Sequence, residues 1–128
     1  MDKIIYKDES YDIIGYCFEV FNQLGPGLRE KNYQKALEEL FKEKNFDFKS
    51  QLYVPIKIND KIIGKYFLDF IVDDKIALEI KSGNNFFKRD IDQLFSYLKS
   101  VDLKLGILVN FTSDGVKSKR ILNIRSYS

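Results

Sequence analysis

The sequence predicts an α/β protein with a mixed central sheet flanked by helices, and three observations carry that prediction. Apolar residues recur at helical spacing in three separate segments. Between the second and third of these, three runs alternate with period two and are joined by short turn signals. A later run, LKLGILVNF from Leu103 to Phe111, has strand length and is apolar enough to be buried on both faces.

The elements follow in order. Ile13, Ile14, Cys17, Phe18, Phe21 and Leu24 mark a first helix from about Ser10 to Leu24. Gly25-Pro26-Gly27 stops it, because glycine accepts the left-handed cap and proline cannot continue the ladder. A second helix runs from about Arg29 to Lys44 on the stripe Tyr33, Ala36, Leu37, Leu40 and Phe41. Phe46 to Ile58 reads as a strand, with Pro55 suggesting an edge position or a bulge. Asn59-Asp60 turns the chain into a second strand, Lys61 to Val72, and Asp73-Asp74 turns it into a third, Lys75 to Ser82. The third helix covers about Arg89 to Ser100, facing the core with Ile91, Leu94, Phe95 and Leu98. After the Leu103–Phe111 strand, Lys117 to Tyr127 reads equally as a last strand or a short helix.

Composition limits the chemistry. The 128 residues predict one domain, and 45% apolar with 15% aromatic content supports a core without disulfide or metal. A net charge of +2 argues no nucleic-acid binding by itself. With no histidine there is no Ser-His-Asp triad, Cys-His pair or imidazole metal ligand. The single cysteine, Cys17, falls on an apolar helical stripe and reads as buried and structural. No apolar run approaches the roughly 20 residues of a membrane span, and the N-terminus lacks a signal-peptide pattern, so the expected location is cytoplasmic. Carboxylates, lysines, tyrosines, hydroxyls or an oxygen-ligated cation remain for any catalysis.

Polar residues interrupt the apolar pattern at three places, and such breaks often mark function. Glu30 shares a stripe with Tyr33, Leu37 and Leu40; it is equally a helix-start acid favoured by the dipole. Asp69 stands among Phe67, Leu68, Phe70, Ile71 and Val72, although a strand-edge acid facing water fits too. In Ile76-Ala77-Leu78-Glu79-Ile80-Lys81, alternation puts Glu79 and Lys81 on one face, as it also would in an ordinary amphipathic strand. Register links the last two. A two-residue loop places Asp69 opposite Leu78; a three-residue loop pairs Val72 with Ile76 and places Asp69 opposite Glu79. The second register is the one predicted. Facing carboxylates about 5 Å apart repel by about 3 kcal/mol at an effective dielectric near 20. Lys81, or a divalent cation with it, offsets that repulsion. Mg²⁺ is commonly held by one or two carboxylates, waters and a substrate phosphate.

At these residues the sequence resembles a known family. Asp69 followed by Glu79-Ile80-Lys81 is similar to the PD-(D/E)XK nuclease signature. Gly27-Leu28-Arg29-Glu30-Lys31-Asn32-Tyr33 matches the heptad of the GxxExxY family, a group assigned to that superfamily. Gln93-Leu94-Phe95-Ser96-Tyr97 resembles the QxxxY motif of the RecB-like branch, and Val109-Asn110-Phe111 ends a strand similar to one in that group. The motif order is more specific than any motif alone. The resemblance implies a restriction-endonuclease-like αβββαβ core and metal-dependent phosphodiester hydrolysis with Mg²⁺ or Mn²⁺. Asp69, Glu79 and Glu30 would be metal ligands, Lys81 the catalytic lysine, and Gln93 an auxiliary catalytic group.

Lys88, Arg89, Tyr97, Lys117, Lys119 and Arg120 are the candidate nucleic-acid contacts, with Arg125 extending the basic C-terminal segment; that segment reads equally as a solvated terminus, and Gln93 with Tyr97, at i, i+4 away from the core stripe, also as an ordinary exposed pair. Phe86 and Phe87 fit either base stacking or core packing. DNA is the expected substrate. Since a bare catalytic core carries no recognition domain, a second copy of the chain or a protein partner is the expected source of target selection. The competing readings are a nuclease-fold protein that binds nucleic acid or a partner without cutting, and an unrelated α/β interaction module.

Overall fold

The structure, a computed structural model, describes residues 4–124. Its elements run α1 (Lys7–Leu24), α2 (Glu30–Glu43), β1 (Phe48–Ile58), β2 (Lys61–Val72), β3 (Ile76–Ser82), α3 (Lys88–Val101), β4 (Leu105–Phe111) and β5 (Val116–Leu122). One five-stranded sheet follows chain order β1-β2-β3-β4-β5. It is mixed: β3 and β4 are parallel, joined through α3, and the other neighbours are antiparallel. The α/β class and the element order agree with the sequence. The segment left open between strand and helix is a strand, β5. Arg125 and the end of that segment lie outside the described residues.

Boundaries differ where the chain closes its helices. At the second helix, Asn45 takes φ 57 and the Phe46 N–H bonds the Phe41 carbonyl, so the strand begins later than the sequence suggested. At α3, Asp102 takes φ 58 and the Leu103 N–H bonds the Leu98 carbonyl, delaying β4 to Leu105. Left-handed residues and backbone bonds of this kind satisfy carbonyls that the last helical turn leaves free. Pro55 lies on β1, an edge strand, where a missing N–H costs no ladder bond toward an outer neighbour.

The sheet has two apolar faces. Helices α1 and α2 cover one with Ile13, Cys17, Tyr33, Leu37 and Phe41, against Ile76, Leu78, Ile80, Ile107 and Val109. Cys17 is fully buried there, and burial pushes its thiol far up, so it packs as a hydrophobe. Helix α3 covers the other face with Leu94, Tyr97 and Leu98, against Ala77, Leu108 and Ile121. Its approach is close at Gly106, where a Cβ would stand 2.9 Å from Leu94 Cγ and 3.2 Å from Leu98 Cδ1. Gly106→Ala should therefore destabilise by about 1–3 kcal/mol, read as a lower denaturant midpoint with unchanged slope.

Alternation in β2 changes phase at one position. Leu68 packs on the α3 face whereas Phe70, two residues on, packs on the α1–α2 face. Period-two geometry would keep them together. The residue between them is Asp69. Among the described residues no helix is long and apolar enough to cross a membrane.

Candidate active site

The β2–β3 hairpin adopts the register that gathers the acids. Val72 pairs with Ile76 across a loop in which Asp73 and Asp74 take φ 54 and 53, and the Lys75 N–H bonds the Val72 carbonyl at 3.0 Å. The ladder continues to Phe70↔Leu78 and then gives way to side chains. The Asp69 N–H donates to Glu79 Oε1 at 3.0 Å, and the Ile80 N–H donates to Asp69 Oδ2 at 2.7 Å. On the other side, Gln51 breaks the β1–β2 ladder with φ 51, and its Nε2 lies 3.4 Å from Asp69 Oδ1. Backbone groups that a regular sheet would pair are thus satisfied by carboxylates. This local irregularity accounts for the phase change and holds both acids at the strand centre.

Burial makes the pair hard to ionise together. Glu79 is only 8% exposed. Burial first, and the adjacent Asp69 charge second, push its carboxyl up to about 9, while Lys81 pulls it down. Asp69 is also raised, mainly by burial, against the opposing pull of the Ile80 N–H, Glu79 and Lys81. Two close carboxylates in a low-dielectric site resist ionising together, so each holds its proton more tightly than a free carboxyl does. Tyr66 lies in the same field: burial, then Glu79, raises its phenol to about 12.

Lys81 follows on the same strand face, between two further acids. Its Nζ lies 3.9 Å from Glu30 Oε1 at the start of α2 and 3.8 Å from Asp90 Oδ1 in the first turn of α3. Asp90 was not anticipated; its only sequence signal is that of a helix-start acid. Glu30, Lys81, Ser82, Arg89 and Asp90 line a small cleft of about 210 Å³. Asn110, beside Lys81 on β4, holds the segment entering α3. Its Nδ2 donates to the Asn85 carbonyl at 2.7 Å and lies 3.4 Å from the Gly83 carbonyl.

The heptad residues build the other wall. Tyr33 is fully buried and stacks on Phe111 at 4.1 Å. Its hydroxyl donates to the Gly25 carbonyl at 2.6 Å and accepts from the Leu28 N–H at 3.2 Å. Ser82 Oγ ties the same loop to β3 by donating to the Leu28 carbonyl. Gly27 takes φ 90, which a side chain would resist. The tyrosine therefore fixes the turn that delivers Glu30. Tyr33→Phe should cost about 1–2 kcal/mol in chemical denaturation, since it strips partners from two loop groups.

Other anticipated residues are dispersed. Tyr97 is 7% exposed and packs with Leu68, Leu94 and Leu98, so the expectation of a surface contact to nucleic acid is corrected: its ring completes the core under α3. Gln93 is half-buried one turn earlier, and no hydrogen bond joins it to the acids. The C-terminal basic cluster is divided by strand alternation. Arg120 faces α1 and donates to Ser10 Oγ and the Ile5 carbonyl; it is a structural tie, which corrects its assignment as a phosphate contact. Lys117 and Lys119 are exposed, and Lys119 lies 5.7 Å from the Phe86 ring centroid. Lys88 pairs with Asp92 at 2.6 Å. Arg89 is exposed beside the Lys81 cleft, stacked over Phe87 at 5.3 Å.

Fold and site together define a mixed-sheet α/β protein of the nuclease-fold class, with an acid pair at a broken hairpin and a lysine two residues beyond. The chain belongs to the PD-(D/E)XK nuclease superfamily, whose family model matches residues 7–121. Among solved structures it is similar to the protein SSO0001, with a TM-score of 0.60 and 23% identity over 94% of this chain. It spans 61% of that protein's chain. It is also similar to an alkaline exonuclease from Laribacter hongkongensis, with a TM-score of 0.50 and 14% identity, covering 97% of this chain and 73% of that one. At these identities the likeness is one of fold. A search of curated proteins gave no match.

Nucleases of this superfamily generally use divalent metals, and the residues here fit a hard dication in part. Asp69 and Glu79 supply oxygen donors, and one or two carboxylates completed by water is an ordinary Mg²⁺ environment. The expected third ligand is not assembled with them. Among the described residues no three acidic, histidine or cysteine side chains converge closely enough to hold an ion, and Glu30 turns to Lys81 instead.

Proposed function

We propose that the protein is a metal-dependent nuclease, a member of the GxxExxY group, that hydrolyses phosphodiester bonds in DNA within the cytoplasm. The observation that carries this reading is the Asp69–Glu79 pair held by the hairpin register, with Lys81 on the same face. Bound Mg²⁺ or Mn²⁺ would supply electrophilic charge at the phosphoryl group and acidify a water. Asp69 and Glu79 are the residues to hold it. Lys81, positioned by Glu30 and Asp90, places a positive Nζ where it stabilises charge gathering on the phosphoryl oxygens. Arg89, Lys117 and Lys119 remain the surface groups available to the phosphate backbone. A homodimer or a protein partner supplies target selection.

The second reading is a nuclease-fold protein that binds without cutting, favoured by Glu30 facing Lys81 while no third ligand converges on the acid pair among the described residues. Incubation with single- and double-stranded DNA and RNA, with Mg²⁺, Mn²⁺ or a chelator, separates the two. Hydrolysis of DNA that stops with chelator and in Glu79→Ala and Lys81→Ala supports the nuclease. No hydrolysis by the unaltered protein, or equal hydrolysis by the variants, overturns it.

A further inference from the structure

A larger cleft opens directly from the acid pair, between α2 and the base of the β1–β2 hairpin. Its volume is about 530 Å³, and it is lined by Glu30, Lys31, Gln34, Lys35 and Glu38 on α2 and by Gln51 and Asp69 on the sheet. That volume lies within the roughly 300–1,000 Å³ of small-molecule sites. Asp69 is common to this cleft and to the acid pair, so whatever occupies it sits next to the reacting position.

The walls and the rim differ in chemistry. Gln34 is 7% exposed, and its Nε2 is fully enclosed with no hydrogen-bond partner. An enclosed donor left unpaired costs about 1–3 kcal/mol. Its helix neighbours Tyr33 and Leu37 are core residues, so packing alone would be served better by an apolar side chain at this position. Gln34 lines the cleft, and a half-turn about its last side-chain torsion exchanges the donor and acceptor ends of the carboxamide. Gln51, exposed on the opposite wall, directs its Nε2 toward Asp69 Oδ1 at 3.4 Å. Lys31 and Lys35 are exposed, one helical turn apart on the cleft's α2 side.

The buried carboxamide of Gln34 and the exposed ammonium groups of Lys31 and Lys35 suit different parts of a nucleotide, the uncharged base and the phosphates, while Glu38 and Glu30 on the same lining face Lys42 and Lys81. We propose that this cleft is a subsite for one unpaired nucleotide of the substrate strand, with Gln34 hydrogen-bonding the base edge and Lys31 and Lys35 meeting the backbone. The inference rests on the nuclease reading and narrows it. A base inside a duplex is stacked above and below, and must leave the helix at a cost of a few kcal/mol to enter such a cleft. Single strands and frayed ends are thereby favoured.

Fluorescence anisotropy in chelating buffer tests this without turnover. The probes are a labelled single-stranded oligothymidylate, an abasic deoxyribose-phosphate chain of equal length, and a duplex. The unaltered protein should bind the oligothymidylate about tenfold more tightly than the abasic chain, the equivalent of one good hydrogen-bonded contact. Gln34→Leu and the unbranched Gln34→Met should both erase that difference while melting no lower than the parent. Lys31→Gln with Lys35→Gln should weaken both chains alike and flatten the salt dependence. Equal binding of the two chains by the unaltered protein, equal weakening of both by Gln34→Leu and Gln34→Met, or no preference over duplex would overturn the subsite. Cleavage without base preference removes the subsite alone; base preference without cleavage removes the hydrolytic reading alone.

Discussion

Glu79→Gln should abolish hydrolysis and at the same time make the protein more stable. The activity loss is expected to be at least about a hundredfold, since the variant removes a charge at the reacting centre. The stability gain follows from what Glu79 does in the fold. Its Oε1 accepts the Asp69 N–H, and a carboxamide oxygen accepts that bond equally. The amide nitrogen can donate toward Asp69, replacing the proton that Glu79 holds. What disappears is the ability to place a second negative charge in a buried site.

The sign of the pH dependence is fixed by that shift. The Glu79 carboxyl titrates near 4.5 when unfolded and is pushed up to about 9 when folded, by burial and by Asp69. Between those values the folded state holds a proton that the unfolded state has released. Stability conferred by this group is therefore complete below the unfolded pKa and declines as pH rises toward the folded one, by at most about 1.4 kcal/mol per unit. Glu79→Gln should lack that decline. Near pH 8 it should melt about 3–10 °C above the parent, consistent with a gain of about 1–3 kcal/mol. Below pH 4.5 the two should converge. Parallel melting curves across pH would show that Glu79 does not hold its proton more tightly when folded.

Much of this arrangement was legible in the sequence, for physical reasons that differ by residue. Asp69 and Glu79 betrayed themselves by charge in apolar strands, and hairpin arithmetic then left only two registers to choose between. The structure has the three-residue loop. Gln51 was not legible, because a polar residue near the start of an edge strand is unremarkable; its role appears only once φ 51 shows the ladder broken opposite Asp69. Asp90 looked like any first-turn acid, and only the crossover from β3 through α3 brings it to Lys81. The burial of Tyr97 is not legible from the apolar stripe of α3 alone. Helix α3 buries a wider arc than Ile91, Leu94, Phe95 and Leu98 implied, and Tyr97 lies within it. Arg120 was grouped with Lys117 and Lys119 by proximity in sequence, yet adjacent strand residues face opposite ways.

Lys81→Met should likewise remove activity, but with a different signature. The lysine stands between Glu30 and Asp90 at 3.9 and 3.8 Å and is 27% exposed. Contacts that long, in a site open to water, contribute little to folding, and methionine keeps most of the apolar stem. Its melting temperature should stay close to the parent's, whereas kcat/KM should fall about 10²–10³-fold as phosphoryl charge loses its stabilising cation. Lys81→Arg should recover part of that loss, since charge returns without the compact ammonium geometry. Asp90→Asn tests the positioning role: with Lys81 intact but held from one side, kcat should drop about tenfold while KM changes little. If Lys81→Met instead kept its rate and lost stability, the lysine would be a counter-ion for the buried acids and nothing more. The two measurements therefore decide between chemistry and packing, because the geometry that makes Lys81 a weak structural contact is the same geometry that leaves its charge free for a phosphate.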